Sequence, residues 1–391
     1  MENLIYLDNN ATTPTDERVV EAMLPYFCKK YGNPSSIYKL ANESETAKEE
    51  ARDKVAKLLK AKPYEIVFTG CGTESDNFAI KGTAFANREK GNHIITSSIE
   101  HHAVLNACKW LEKQDFEVTY IGVDKHGVVN LDELCEAITD KTILISIMHA
   151  NNEVGTIEPI KEIADIAKDN GIYFHIDAVQ TVGKLPIDVN DLSVDLLSMS
   201  GHKFYGPKGV GALYIRKGTK IDSLLHGGHH ERNRRAGTEN VPGIVGLGKA
   251  SEIAMEEFEE EEKRVKELRD RLEKGLMEKI DDVIINGHPE RRLPSTLNLC
   301  VKYVEGESIL LQLNHNGIAA SSGSACTSGS FEPSHVLTSM GIPPEVAHGS
   351  LRFSVGRSNT EKDIDKVIEV LPPIVEKLRE MSPFGKGKGI R

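Results

Sequence analysis

The chain has no apolar run long enough to cross a bilayer, no Cys-x-x-Cys pair and no excess of positive charge. Each absence removes a class of protein. A membrane span needs about 20 consecutive apolar residues, and Met1-Glu2-Asn3-Leu4 has neither the basic nor the apolar part of a secretory signal. The expected location is cytoplasmic. Lysine and arginine number 48 against 59 aspartates and glutamates, a formal charge of −11. Such an acid attracts neither nucleic acid nor an anionic lipid surface unless it concentrates a basic face. The expected partner is therefore a small molecule, with no nucleic acid and no membrane. The six cysteines, at positions 28, 71, 108, 135, 300 and 326, are scattered, and no histidine stands at zinc-type spacing. Neither a disulfide framework nor a structural metal is expected. Cys108 and Cys135 read as inert buried thiols on apolar faces of predicted helices.

What the sequence does contain is alternation. With 391 residues the chain is long enough for two or three domains. From about residue 65 to 215, seven short apolar runs are separated by helical patterns: 66–68, 93–95, 118–121, 143–145, 172–176, 194–199 and 210–215. This predicts a largely parallel sheet covered on both faces. One covering helix is well marked, with Pro159 at its start, Ile160, Ile163, Ala164 and Ala167 on one face, and Gly171 past its end. After Gly248 a charge-dense helix is predicted over Glu252–Ile280, with Val265, Leu268, Leu272 and Leu276 as an apolar stripe and Glu256–Glu262 as a solvated face. Strands near 296–299 and 351–354 and helices near 306–314 and 361–378 complete a smaller α+β unit.

Two strand ends carry chemistry. The run Leu196-Leu197-Ser198-Met199-Ser200 leads through Gly201-His202 to Lys203, and Tyr173-Phe174-His175-Ile176 delivers Asp177. An amine able to tether an aldehyde and an anion able to keep a pyridine nitrogen protonated are what a pyridoxal phosphate enzyme requires. Taken singly, Asp177 is as well read as a helix cap and Lys203 as a surface charge. Gly70-Cys71-Gly72-Thr73-Glu74-Ser75 follows a strand and opens a helix, where amides and the Thr73 hydroxyl can meet a phosphate or where Thr73 is only a cap. Ser200 and His202 add donors, and Gln180 lies three residues past Asp177. His101, after a strand, is placed to stack on a flat ring and shuttle protons with a pKa near working pH. Arg352, in an alternating strand, clamps a carboxylate or makes an edge salt bridge. Cys326 sits in Ser321-Ser322-Gly323-Ser324-Ala325-Cys326-Thr327-Ser328-Gly329-Ser330, which has almost nothing to bury; the expectation is an exposed, mobile thiol or an incidental one.

These motifs together resemble the cysteine desulfurases of the NifS/IscS type, within the fold-type I pyridoxal phosphate enzymes. The match runs from Tyr6-Leu7-Asp8-Asn9-Asn10-Ala11-Thr12-Thr13 and Thr73-Glu74-Ser75-Asp76-Asn77 through His149-Ala150-Asn151-Asn152-Glu153-Val154-Gly155, His175-Ile176-Asp177-Ala178-Val179-Gln180 and Ser200-Gly201-His202-Lys203. It continues to Arg235-Ala236-Gly237-Thr238-Glu239-Asn240, Ser324-Ala325-Cys326-Thr327 and Arg352-Phe353-Ser354. The resemblance implies a large α/β domain on a mostly parallel seven-stranded sheet over residues 13–255. It also implies a smaller α+β domain from 1–12 and 256–391 that carries the cysteine loop.

It implies that pyridoxal 5'-phosphate is held by Lys203, paired at its ring nitrogen with Asp177, stacked by His101, and bonded at a ring substituent by Gln180 and Asn152, the latter also meeting substrate. Gly72, Thr73, Ser200 and His202 would bind its phosphate, with Thr238 reaching the phosphate of the other subunit in a homodimer. Arg352 would grip the carboxylate of L-cysteine, the freed Lys203 would remove the α-proton, and Cys326 would take the sulfur as a persulfide while alanine leaves. The sulfur would pass to an iron–sulfur scaffold or another acceptor. No resident metal is implied, although Cys326 is a candidate transient cluster ligand. The chain departs from the pattern at Tyr38, where histidine is common, and in its short basic C-terminus, Met381–Arg391, which does not resemble scaffold-docking tails. A selenocysteine lyase or aminotransferase on the same scaffold, or a non-catalytic sulfur or cluster carrier using Cys326, are the competing readings.

Overall fold

The computed structural model describes residues 4–322 and 332–382. The strands, in chain order, are β1 (Ile5–Tyr6), β2 (Ile66–Thr69), β3 (His93–Ser97), β4 (Glu117–Ile121), β5 (Thr142–Met148), β6 (Tyr173–Asp177), β7 (Leu196–Ser200), β8 (Gly211–Ile215), β9 (Val283–Asn286), β10 (Thr296–Val301), β11 (Ile318–Ala319) and β12 (Ser350–Ser354). β2 to β8 form one seven-stranded sheet in the order β2-β8-β7-β6-β5-β3-β4. Neighbours from β7 to β4 are parallel, while β8 runs antiparallel to both β2 and β7. All seven apolar runs read from the sequence are strands of this sheet.

The runs are apolar at successive positions because both faces are covered. Val67, Ile94, Leu144 and Leu196 pack into one core with Phe78, Val104 and Leu111. Their chain neighbours Phe68, Ile95, Ile145 and Leu197 pack into the other with Val55, Ile163, Ile244 and Leu247. The helix Ile160–Asp169 buries Ile160, Ile163, Ala164 and Ala167 as its spacing predicts, and Gly171 beyond it has φ +62°.

The long helix begins before its predicted start and spans Val241–Lys279, with the Asn240 side chain accepting from the Gly243 amide. Gly243, Gly246 and Gly248 lie in its first eight residues, and the last two are points of close approach. A Cβ on Gly246 would lie 2.7 Å from Met23 Sδ, and one on Gly248 2.6 Å from Ala51 Cα. The acidic run on this helix is not a purely solvated face. Glu257 pairs with Arg18 and Arg357, and Glu261 with Arg357 at 2.7 Å and with the Tyr205 hydroxyl at 2.9 Å. A second correction concerns Cys135, which is exposed, whereas Cys108 is buried. The helix Leu131–Ala137 buries only Leu134, and a residue one step along is turned about 100° away from that contact.

The same long helix reaches a second core. Ile244, Leu247, Ala250, Ile253 and Ala254 join the first, and Val265, Leu268, Leu272 and Leu276 join Leu297, Leu299, Leu351, Phe353, Ile364 and Leu371 in the other. That core lies against an antiparallel sheet in the order β12-β10-β9. Leu7, from the other end of the chain, is buried in it, held by β1 pairing in parallel with β11. The segment 8–13 then crosses from this core to the loop after β7, and the Thr13 amide donates to the His202 carbonyl. None of the described helices is long and apolar enough to cross a membrane.

Candidate active site

In an open α/β sheet, ligands meet the carboxyl ends of the strands. Here those ends deliver Glu100 and His101 after β3, Asn152 after β5, Asp177 and Gln180 from β6, and Ser200 to Lys203 from β7. Lys203 closes a short 3-10 turn, Gly201–Lys203. Its ammonium points inward and donates to the Asn10 carbonyl at 2.6 Å and the Ala11 carbonyl at 2.9 Å. Gln180 Nε2 donates to the same Asn10 carbonyl at 3.0 Å. Tyr205, two residues on, has φ +64° and donates its amide to Thr13 Oγ1.

Asp177 is buried and accepts from the Val179 amide at 2.9 Å. Burial pushes its carboxyl up to about 6, against the pull of the Val179 bond and the Lys203 charge. Beneath it lie more buried acids. Asp76 is raised well above the ordinary carboxylate range, by burial first and then by the Asp177 charge. Glu100 is pushed up to about 8 by burial, although Ser97 Oγ and the Met148 amide both donate to it. His175 stands among them, bonded to Ser146 Oγ at 2.8 Å and Ser198 Oγ at 2.9 Å, and burial lowers it to about 3, so it is neutral.

His101 caps the helix His102–Glu112, its Nδ1 accepting from the Ala103 amide at 3.1 Å. Nδ1 is therefore unprotonated. Burial, then the Lys203 charge, hold the ring down at about 4, below the near-neutral value expected of a proton shuttle from sequence. His202 is likewise lowered to about 4, by burial and then by Lys203, and its Nδ1 lies 3.0 Å from Thr12 Oγ1.

At the start of the helix Gly72–Asn77, Gly72 is a point of close approach: an added Cβ would sit 2.7 Å from Val179 Cγ2 and 3.3 Å from Ser200 Cβ, so only glycine lets this turn lie against the end of β7. The Ser200 hydroxyl is buried and has no hydrogen-bond partner among the described residues. Thr73 is exposed and does not cap the helix; Cys71 occupies the cap position and makes no capping bond with its side chain. The loop carrying Thr238 is pinned beside this turn. Arg235 pairs with Glu74 at 2.8 Å, and buried Glu231 makes a two-pronged pair with Arg52 at 2.8 Å while accepting from the Phe68 amide. Thr238 itself is exposed.

Arg352, on β12, is buried. One terminal nitrogen donates to Asp8 at 2.8 Å and the other to the Asn152 carbonyl at 3.0 Å, while its buried Nε has no partner among the described residues. The Asn10 amide also donates to the Asn152 carbonyl. The fold thus brings Lys203, Asp177, Gln180, His101, Asn152 and Arg352 around the crossing segment 8–13, with Gly72, Ser200 and His202 along one side. Cys326 lies outside the described residues. Among the described residues, no group of three or more His, Cys, Asp or Glu side chains is placed to hold a metal ion.

Sequence reading assigned no role to Asn10, Asp76, Glu100, His175 or Lys184. The four charged or ring-bearing side chains had one available signal: polar groups set inside or beside apolar runs. Asn10 had none, because it acts mainly through a backbone carbonyl.

The chain matches the family model for class-V aminotransferases over residues 5–367. It is 64% identical to cysteine desulfurase IscS of Methanosarcina thermophila, covering 97% of this chain and 94% of that one. It is 57% identical to cysteine desulfurase IscS of Dictyoglomus turgidum, over 98% of each. Among solved structures, a NifS-like protein superposes with a TM-score of 0.90 at 43% identity, covering 96% of this chain and all of that one (100%). SspA in complex with cysteine gives 0.81 at 39% identity, covering 91% and 100%. The chain belongs to the class-V aminotransferases, the fold-type I group, and within them to the cysteine desulfurases.

Proposed function

We propose that this protein converts L-cysteine to L-alanine and holds the released sulfur as a persulfide on Cys326. From there the sulfur passes to an acceptor protein for iron–sulfur clusters and other thio-cofactors. The observation that carries the assignment of Lys203 is its inward ammonium on the Asn10 and Ala11 carbonyls, within charge range of buried Asp177. The residues present fit pyridoxal 5'-phosphate. The buried Ser200 hydroxyl, without a partner among the described residues, and the bare backbone at Gly72, where the turn packs against Val179 and Ser200, suit a phosphate, with Thr73 and His202 as further donors and Thr238 reaching the phosphate in the partner of a homodimer. Asp177 suits a protonated ring nitrogen, since a cation beside it makes ionisation of a buried carboxyl favourable. Gln180 and Asn152 suit the ring's polar substituent.

Bound pyridoxal phosphate supplies an electron sink for the charge left at the substrate α-carbon. The chain's own residues do the rest. Arg352 holds the substrate carboxylate, its Nε, without a partner among the described residues, being the donor in reserve. Lys203 takes the α-proton. His101, neutral with Nδ1 committed to the Ala103 amide, presents Nε2–H as a donor and a flat face for stacking. Cys326 Sγ, as thiolate, forms a bond to the substrate sulfur while the carbon–sulfur bond breaks and its electron pair stays with carbon. The balance is L-cysteine plus enzyme thiol giving L-alanine plus enzyme persulfide. We place the enzyme in the cytoplasm.

Purified protein incubated with L-cysteine should give alanine, and sulfide once a thiol reductant releases the persulfide. Lys203→Ala should lose both the yellow absorbance and alanine formation. Cys326→Ala should keep the absorbance and lose alanine. Equal alanine from Cys326→Ala and the unmodified protein would overturn the assignment of the nucleophile.

A further inference from the structure

Lys184 lies in the same wall as Lys203 and has no part in the chemistry above. Its ammonium donates to Gln180 Oε1 at 3.2 Å and to Asn10 Oδ1 at 3.4 Å, and among the described residues it makes no ion pair with a carboxylate. It also borders a small cavity lined by Asn9, Tyr205, Glu261 and Ser295. The local chain fixes its place. Gln180 and Lys184 are four residues apart on a tight turn in which the Lys184 amide donates to the Thr181 carbonyl. Gly183, at φ +76°, presses the turn onto Phe204, next to Lys203: an added Cβ would lie 2.7 Å from Phe204 Cβ.

We propose that Lys184 is a positioning residue: it holds the Gln180 side-chain amide in the one orientation that turns its NH2 toward the Lys203 nitrogen. The argument is one of donor and acceptor capacity. The Lys184 nitrogen keeps N–H donors whether charged or neutral and a carbonyl only accepts, so an amide between Lys184 and the Asn10 carbonyl satisfies both neighbours only with Oε1 on the lysine and Nε2 on the carbonyl. Lys203 donates to that same carbonyl, so the amide NH2 stands beside the tethering amine. The inference rests on the assignment of Gln180 to the cofactor made above.

The position is costly to the fold, which argues against a structural role. Burial, then the charges of Lys203 and Arg352, lower Lys184 to about 7, with Glu261 acting weakly the other way. An amine depressed on folding contributes least stability below its folded value and most above its unfolded one. At pH 7 the protein carries Lys184 at a loss, so its removal should raise or leave unchanged the melting temperature of the cofactor-free protein.

The test compares Lys184→Met, Lys184→Arg, Gln180→Leu and the Lys184→Met/Gln180→Leu double variant. It reads the pH midpoint of the cofactor's visible band, kcat and KM for L-cysteine, and melting without cofactor. Lys184→Met should move the band midpoint by about one pH unit and lower kcat by about tenfold with little change in KM. Lys184→Arg should restore most of both, and Lys184→Met should add nothing once Gln180 is leucine. Lys184→Met effects of equal size with and without Gln180, or no movement of the band, would overturn the inference. A fall in cofactor-free melting temperature for Lys184→Met would also overturn it, in favour of a structural role. Gln180→Leu leaving the band unmoved would instead remove the Gln180 assignment on which it stands.

Discussion

At the scale of single residues, charge state in this site is set mainly by burial. Asp177 is an acid that folding pushes up to about 6 from an ordinary value of 3.8. A carboxyl raised on folding contributes most to stability below its unfolded pKa, and that contribution is lost as pH rises toward 6. Asp177→Asn should therefore stabilise the cofactor-free protein at pH 7 to 8, by on the order of 2 kcal/mol, and have little effect at pH 4. Urea unfolding at the two pH values measures this. The same variant should lower desulfurase activity by at least about a hundredfold, because the electrostatic partner of the ring nitrogen is gone. Asp177 and Lys203 were legible because one ends an apolar strand and the other closes the short turn that follows one. Lys184 and Asp76 were not, because their importance depends on which strand end or carbonyl lies opposite, a fact with no trace in local spacing.

At the scale of elements, the long helix Val241–Lys279 shows where propensity misleads. Three glycines within six residues weaken a helix in isolation by about 1 kcal/mol each relative to alanine. In the fold Gly248 instead lets this helix lie on the helix Lys39–Leu59 at Ala51. Gly248→Val should lower thermal stability by about 1 to 3 kcal/mol through overpacking against backbone, measured by chemical denaturation, despite adding a better helix former. The predicted helix began at Glu252 because amphipathic spacing becomes visible only there, where solvent meets one face; upstream the helix is covered on several sides. We propose that the two domains divide inside this helix, between Ala254 of the first core and Val265 of the second. The covering helix from Ile160 had a single exposed face, so its stripe and both ends were readable.

At the scale of the whole molecule, the N-terminal segment is what joins the parts. Leu7 is fully buried in the core formed largely by residues beyond 260. Three residues later, Asn10 offers its carbonyl to Lys203 and Gln180 and its amide to Thr296 Oγ1 and the Asn152 carbonyl. Leu7→Ala should cost about 2 to 5 kcal/mol, seen as a lower urea midpoint, and should weaken cofactor retention on gel filtration although Leu7 packs in the second core. What the sequence determined by itself was the alternation of strand and helix, the sheet buried on both faces and the strand ends that carry Asp177 and Lys203. These follow from short-range apolar periodicity, which acts within a few residues. Tertiary structure alone decided that residues 8–13 floor the site, that Lys184 reaches Asn10 and that neutral His175 lies among buried acids. Those relations join positions up to hundreds of residues apart, and burial, which sets their charges, exists only once the chain has closed around them.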